Sequence, residues 1–313
     1  MLKPFLRGIL LSGLIVSGAV AEDDWYPSEY GADDTVGALN NLSPDKTKEA
    51  ASLITKGKTY RLGVITGAKT PAFGTRNFQM ILYPHGDGSG ATMPGANKGV
   101  FNDDFLATWL GIGTQIDGFG HAGIDHKYYN GVHVSDLFAA NGIKKYGTQD
   151  IPPIATRGVM IDMTKYYGAP ILTEGTVFNS AAIKAQAKAQ GVTIGKGDVV
   201  LFHTGWQSLA ETDPERFIQG EPGIGLDGAT YLADLGVVAI GADTWALEAL
   251  PAESEDSVFV VHTTLLAKRG VHILENIQTA ELAADKAYEF MFVLGVPRFE
   301  GAVQMVINPI AIR

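Results

Sequence analysis

A short glycine-rich stretch, WLGIGTQIDGFGHAGIDH (residues 109–126), carries polar side chains whose types could do chemistry. Gln115 and Asp117 stand two residues apart, and on an extended strand such residues point to the same face. His121 follows after two glycines, which let the chain bend because they lack a side chain. An amide, a carboxylate and an imidazole can bind a metal ion or transfer protons. The spacing alone leaves two alternatives open: a metal or acid/base site, and a turn whose Asp and His are satisfied by the backbone.

The first 21 residues, MLKPFLRGILLSGLIVSGAVA, have the layout of a secretory signal peptide. Lys3 and Arg7 give a positive start, an apolar run follows, and the run ends in a small-residue cleavage site. We therefore predict cleavage after Ala21, a functional domain over residues 22–313, and a periplasmic or secreted location. The alternative is an N-terminal membrane anchor, but the apolar run is shorter than the roughly 20 residues that a spanning helix needs.

The composition restricts the partners and the kind of site. The chain has a formal net charge of −10 and no Cys. An acidic surface argues against nucleic acid or anionic lipid as a partner. The lack of Cys excludes disulfides and thiolate metal ligands. No G-x-S-x-G motif is present, so the sequence does not predict a covalent serine nucleophile.

The remaining patterns predict an α/β fold with a mixed sheet. Helical signals cover residues 43–57, 179–191 and 262–270, each ending at glycine. The apolar, β-branched runs RGVMIDM, GDVVLFHT, LGVVAIGAD and YEFMFVLGV predict strands, several of them buried on both faces. Helices and strands do not alternate strictly, and no linker divides the chain, so we expect one domain. The glycine-rich residues 85–100 are predicted to form a long surface loop.

The stretch GTQIDGFGH resembles the signature of the cyclase family of metal-dependent hydrolases, H-x-G-T-H-x-D-x-x-x-H. That family includes bacterial kynurenine formamidases and isatin hydrolases. Other parts of the chain resemble the family in the same order: YGADDTVGALNNLSPDK, RGVMIDM, GDVVLFHTGW, LGVVAIGADT, and the arrangement of His262 and Glu275. The resemblance implies a compact domain with a mixed, barrel-like sheet flanked by helices, of the swivelling β/β/α type. It also implies a homodimer or a higher homo-oligomer.

The signature departs from the family at two histidines. Gly111 stands in place of the first and Gln115 in place of the second, whereas Asp117 and His121 are retained. In the family, the first two histidines and the aspartate typically bind zinc or manganese. We expect a divalent ion, manganese or zinc, with Asp117, Gln115 and His121 as ligands. The oxygen content of this set favours a hard ion such as manganese, magnesium or calcium. The alternative is a polar cluster that acts through hydrogen bonds without a metal.

By resemblance, His121 is the catalytic acid/base, and Glu275 and His262 lie across the pocket, where they position water or substrate. The predicted activity is hydrolysis of a carbon–nitrogen bond in a small aromatic or cyclic amide, as in an arylformamidase or an isatin hydrolase. An aromatic substrate could stack on Trp109, Phe119 or Trp245. Two alternatives stay open: a non-catalytic periplasmic binding protein on the same scaffold, and a lactone hydrolase or lyase.

Overall fold

The computed structural model describes residues 25–84, 91–92, 96–97, 99–254, 256 and 258–313. The predicted signal peptide and most of the predicted loop at residues 85–100 lie outside the described residues. Within the ranges given, no helix combines the length and the apolar composition that crossing a membrane requires.

Nine of the described strands form one mixed sheet. Numbered along the chain, they are β1 (Thr59–Arg61), β2 (Gln115–Asp117), β3 (Ile154–Asp162), β4 (Val199–His203), β5 (Ala239–Ala242), β6 (His272–Glu275), β7 (Glu289–Leu294), β8 (Gln304–Val306) and β9 (Ile310–Ile312). Their spatial order is β1-β9-β7-β3-β4-β5-β6-β2-β8. The strands from β3 to β6 run parallel, and the other pairings are antiparallel. The sheet curls into a half-barrel flanked by helices, so the predicted fold class is confirmed.

Short helices connect and flank these strands. They are α1 (Pro44–Ala51), α2 (Val134–Leu137), α3 (Met163–Tyr167), α4 (Ser180–Gln190), α5 (Leu209–Thr212), α6 (Pro214–Gln219), α7 (Leu226–Asp234), α8 (Val260–Thr263) and α9 (Ala280–Ala284). A π-helical turn over Thr264–Lys268 continues α8. The predicted helix at 179–191 corresponds to α4, which ends at Gly191 with a φ of 74°.

The predicted helix at residues 43–57 is too long. It begins after Ser43, whose side chain accepts a hydrogen bond from the Lys46 amide, but it ends at Ala51. Beyond it, the amides of Lys56 and Lys58 both donate to the carbonyl of Arg313, at 3.1 and 3.0 Å. Pairing with the C-terminal strand therefore removes these residues from the helix, a long-range contact that local helical signals do not contain.

The central parallel strands are covered by apolar side chains on both faces, as their uninterrupted apolar sequences predicted. In β4, Val199 and Leu201 belong to one buried cluster, whereas Val200 and Phe202 belong to another. Alternate residues of a strand face opposite sides of the sheet. The sheet therefore separates two apolar cores.

Strand β2 brings the candidate residues together. It lies between β6 and β8, with Gln115 opposite Glu275 and with Asp117 opposite Gln304. Gln115 and Asp117 share one face of the strand, and the side chain of Ile116 between them is buried in the core on the other face. The register of three strands, rather than proximity in sequence, therefore collects these polar groups.

A tight turn follows β2 and returns His121 toward Asp117. The amide of Gly118 donates to the carbonyl of Val303 at 2.9 Å, and the amide of His121 donates to the carbonyl of Gly118 at 3.0 Å. A Cβ atom on residue 118 would lie 3.0 Å from the Val303 carbonyl oxygen. Glycine at this position therefore allows the close approach of the two backbone segments that the turn requires.

The buried face of β2 predicts a stability effect. Ile116 is 0% exposed and Ile65 is 92% exposed. Ile116→Ala should lower the free energy of unfolding by about 2–5 kcal/mol, because it opens a cavity under the strand. Ile65→Ala is the matched control and should change it by no more than about 0.5 kcal/mol. Denaturant titration measures both values, and equal effects would contradict the placement of β2 in the core.

Candidate active site

A cavity of about 260 Å³ opens beside the end of β2. Of the residues that the sequence analysis selected, His121, His262 and Glu275 line it. Asp117 and Gln115 are buried behind them, at 0% and 1% exposure. The cavity is completed by Phe73, Arg76, Ala122, Trp245, Ala246, Phe259, Thr263 and Gln304. The structure therefore gathers all five selected side chains at one place.

The two carboxylate oxygens of Asp117 have different surroundings. Oδ1 accepts hydrogen bonds from Nε2 of Gln304 at 2.8 Å and from Nε2 of Gln115 at 3.3 Å. Oδ2 is buried and has no hydrogen-bond partner. It lies 3.7 Å from Nε2 of His262 and 4.0 Å from Nε2 of His121. A buried carboxylate oxygen without a partner is costly, so this atom is a candidate for binding a cation.

His262 lies between two glutamates. Its Nδ1 is 2.8 Å from Oε1 of Glu248, and its Nε2 is 3.1 Å from Oε1 of Glu275. Burial lowers its pKa, but the two carboxylates and Asp117 outweigh burial and raise the pKa to about 10. Both ring nitrogens donate, and the ring is an imidazolium at neutral pH. Glu248 also accepts hydrogen bonds from the amides of Val261 and His262, which fixes the start of α8 against the site.

Glu275 is held from both sides. Its Oε1 contacts His262, and its Oε2 accepts a hydrogen bond from Nε2 of Gln115 at 2.7 Å. Burial and the charge of Asp117 raise its pKa to about 7, against the effect of His262. Because the Gln115 Nε2 donates to two carboxylates, the amide oxygen of Gln115 faces away from them. The ligand role that the sequence analysis gave to Gln115 stays a prediction.

His121 is the most accessible imidazole of the cluster, with a side chain that is 24% exposed. Burial lowers its pKa, although the charge of Asp117 acts in the opposite direction. The ring is therefore neutral at neutral pH and offers a nitrogen lone pair. Its Nε2 lies 3.4 Å from Nε2 of Gln304.

The residues fit a divalent metal ion. Asp117, His121 and His262 each offer one ligand atom, and these atoms lie within 4.8 Å of one another. One carboxylate oxygen and two imidazole nitrogens are a donor set that proteins use for metal sites with an open coordination position. Asp117 Oδ2 supplies the unpartnered buried acceptor. In this group His262 accompanies Asp117 and His121, whereas the sequence analysis grouped them with Gln115.

Gln304 explains how the chain accommodates glycine at position 111. A Cβ atom on Gly111 would lie 2.5 Å from Oε1 of Gln304. The amide of Gln304 thus fills the space where the family signature, by resemblance, begins a histidine side chain. It also donates to Asp117, so the side chain beside Gly111 contributes a hydrogen bond to the carboxylate.

Several residues of the site were not selected from the sequence. Gln304 and Arg76 line the cavity, and Glu248 contacts His262. All three are far from β2 in the chain. The strand register brings Gln304 to the site, and hydrogen bonds to the start of α8 bring Glu248 there. Among the three aromatic candidates, Trp245 lines the cavity. Phe119 instead stacks on His272 in the core, with ring centroids 4.4 Å apart, and Trp109 lines a separate surface cavity.

Comparison with known proteins gives one family and one fold. The Cyclase family model, described as "Putative cyclase", matches residues 60–249. A crystal structure titled as a novel cyclase is 29% identical, covers 91% of this chain and 98% of its own, and superposes with a TM-score of 0.81. Isatin hydrolase A from Ralstonia solanacearum is 17% identical, with 87% and 99% coverage and a TM-score of 0.62.

An isatin hydrolase bound to the product analogue thioisatinate is 18% identical, covers 86% of this chain and 98% of its own, and has a TM-score of 0.59. At this level of identity, the two isatin hydrolases support the fold and do not by themselves assign an activity. No curated protein matches the chain.

The metal-ligand group predicts a specific loss on substitution. Mn²⁺ or Zn²⁺ should raise the melting temperature of the wild-type protein, because a ligand that binds only the folded state stabilises it by about 2.7 kcal/mol at 100 times its Kd. Asp117→Asn should abolish this shift, since it removes the unpartnered anionic oxygen. Asp136→Asn alters an exposed carboxylate and is the control. If both variants keep the wild-type shift, the ion binds elsewhere.

Proposed function

Because this chain belongs to the cyclase family, we propose that it is a hydrolase that cleaves a carbon–nitrogen bond in a small linear or cyclic amide. The observation that carries the proposal is the unpartnered Oδ2 of Asp117, grouped with His121 and His262 beside a cavity that Glu275 also lines. A cavity of about 260 Å³ suits a small ring compound better than a polymer.

Asp117, His121 and His262 would hold the divalent ion, with manganese and zinc as the candidates. When bound, such an ion polarises a carbonyl group and lowers the pKa of water. A ligand imidazole must be neutral, so His262 has to release the proton that it shares with its two glutamates. Glu248 then remains hydrogen-bonded to the backbone at the start of α8 and keeps the ring in place.

Glu275 is the acid/base group of the cavity that lies outside this triad, and we assign the proton transfer to it. Its Oε2 is held by Gln115 at 2.7 Å, so the carboxylate has a fixed orientation. It accepts a proton as the oxygen of water forms a bond to the carbonyl carbon. It returns that proton to the nitrogen as the carbon–nitrogen bond breaks, which yields an amine and a carboxylic acid that ionises in water. In this proposal His121 is a ligand rather than the acid/base.

An aromatic wall supports an aromatic amide as the substrate. The rings of Phe73 and Trp245 are stacked, with centroids 5.2 Å apart and an angle of 12° between their planes. Phe259 adds a third ring, which contacts His262 edge-on at 5.5 Å. A planar substrate gains both apolar burial and favourable ring geometry against such a wall. This chemistry agrees with an arylformamidase-like or isatin-type substrate.

The proposed setting is an exported homo-oligomer that acts on a small molecule. The signal-peptide-like layout of residues 1–21 supports a periplasmic or secreted location. The antiparallel strands Phe78–Pro84 and Val100–Thr108 support association between copies, because several of their large apolar side chains are at least half exposed: Met80, Leu82, Tyr83, Phe101 and Phe105. Apolar patches of this kind are typical of protein interfaces.

The activity assay uses a panel of aryl formamides, cyclic amides and lactones with the Mn²⁺-loaded and Zn²⁺-loaded proteins. We expect turnover of at least one amide by the wild type. Glu275→Gln should lower kcat by about 10²–10⁴-fold, since it removes the proton acceptor and preserves the shape of the side chain. Its metal content should stay at the wild-type level. Glu281→Gln changes an exposed glutamate and should leave kcat unchanged.

The other results have distinct meanings. Wild-type turnover that survives in Glu275→Gln would contradict the assignment of Glu275. Ligand-induced stabilisation without any product would contradict the hydrolase proposal and support a binding protein on the same scaffold. Product that gains no ¹⁸O from labelled water would indicate a lyase.

A further inference from the structure

Arg76 is a charged residue of the cavity that the proposed mechanism does not use. Arg76 lines the cavity together with His121 and Glu275. One nitrogen, Nη1, donates to the carbonyl of Gly111 at 2.7 Å. Among the residues that the structure describes, no carboxylate forms an ion pair with it.

Several other arginines among the described residues pair with carboxylates. Arg157 donates to Asp198 at 2.6 and 2.9 Å, and Arg216 donates to Glu174 at 2.6 and 3.1 Å. A guanidinium carries five N–H donors, and the one bond to Gly111 leaves most of those of Arg76 free for a ligand. A partly buried charge is stabilised best by a partner of opposite charge. The cavity is the space from which such a partner can reach it.

Arg76 lies on the same short segment as one of the aromatic residues of the cavity. It shares the cavity lining with His121 and Glu275, so a molecule bound beside those two residues lies next to Arg76. It is three residues from Phe73, whose ring stacks on Trp245. One short segment thus supplies both a cation and an aromatic surface to the cavity.

We infer that Arg76 binds a carboxylate of the ligand while the aromatic ring of that ligand lies against Phe73 and Trp245. This inference rests on the proposed function and specifies its substrate class: an aromatic amide that carries a carboxylate, or one whose hydrolysis creates a carboxylate next to the ring. The planar guanidinium matches a carboxylate with two parallel hydrogen bonds. Arg76 would then bind the carboxylate, whereas the ion held by Asp117, His121 and His262 would bind the amide group.

Binding of two ligands that differ in charge tests this directly. The probes are 2-aminobenzoate and its neutral counterpart 2-aminobenzamide, titrated calorimetrically into the Mn²⁺-loaded protein. Arg76→Met should raise the Kd of 2-aminobenzoate by about tenfold or more, because a charge-assisted hydrogen-bonded pair is lost. It should change the Kd of 2-aminobenzamide by less than about twofold. Arg298→Met is the matched control, since Arg298 also donates to a backbone carbonyl but is exposed outside the cavity.

If Arg76 had only a structural role, losing its hydrogen bond to Gly111 would weaken the binding of both ligands equally. Equal weakening of both ligands, or no change in either, therefore overturns the inference. A bound metal ion could also attract 2-aminobenzoate, so the titrations are repeated in Asp117→Asn. If Arg76→Met weakens 2-aminobenzoate selectively in both the wild type and Asp117→Asn, the assignment is supported. If the selective effect disappears in Asp117→Asn, the assignment is overturned.

Kinetics separates the two sources of the carboxylate and keeps this inference distinct from the proposed function. A raised KM of Arg76→Met for anionic amides alone assigns the carboxylate to the substrate. Weaker inhibition by 2-aminobenzoate with an unchanged KM for neutral amides assigns it to the product. If no amide is hydrolysed but Arg76 still discriminates between the two ligands, the hydrolase proposal fails and the anion site stands.

Discussion

The carboxylate of Asp117 is fully buried, and hydrogen bonds satisfy only one of its two oxygens. Burying such a group costs free energy that the surrounding fold must offset, and a cation is the partner that offsets it best. The protonated His262, held by Glu248 and Glu275, is the nearest positive group, but its Nε2 donates to Glu275 rather than to Asp117 Oδ2. The site is thus arranged around an acceptor that the protein itself leaves unpaired.

That constraint orders the rest of the cavity. Polar groups from β2, β6, β8 and α8 gather at this place, and the rings of Phe73, Trp245 and Phe259 also line the cavity. The amide nitrogen of Gln115 donates to both Asp117 and Glu275, and that of Gln304 donates to Asp117, so both carboxylates are fixed by hydrogen bonds. A small aromatic ligand entering this space would meet apolar surface along its ring and charged groups at its reactive end.

The sequence predicted the parts of this site that depend on local geometry or on family resemblance. The alternation in β2 and the glycines after it correctly brought Gln115, Asp117 and His121 together, and resemblance added His262 and Glu275. Gln304 and Arg76 could not be found in this way, because their positions depend on a strand register and on loop packing between distant segments. The loss of the signature histidine at Gly111 was visible, but the amide that fills its space was not.

Anomalous diffraction from crystals grown with Mn²⁺ tests the central claim most directly. The account predicts a peak at coordination distance, roughly 2.0–2.3 Å, from Oδ2 of Asp117 and from a ring nitrogen of both His121 and His262. His262 should then have given up its hydrogen bond to Glu275 and retained its bond to Glu248. A crystal that shows no peak at Asp117, with His262 still bonded to both glutamates at saturating Mn²⁺, would contradict the account.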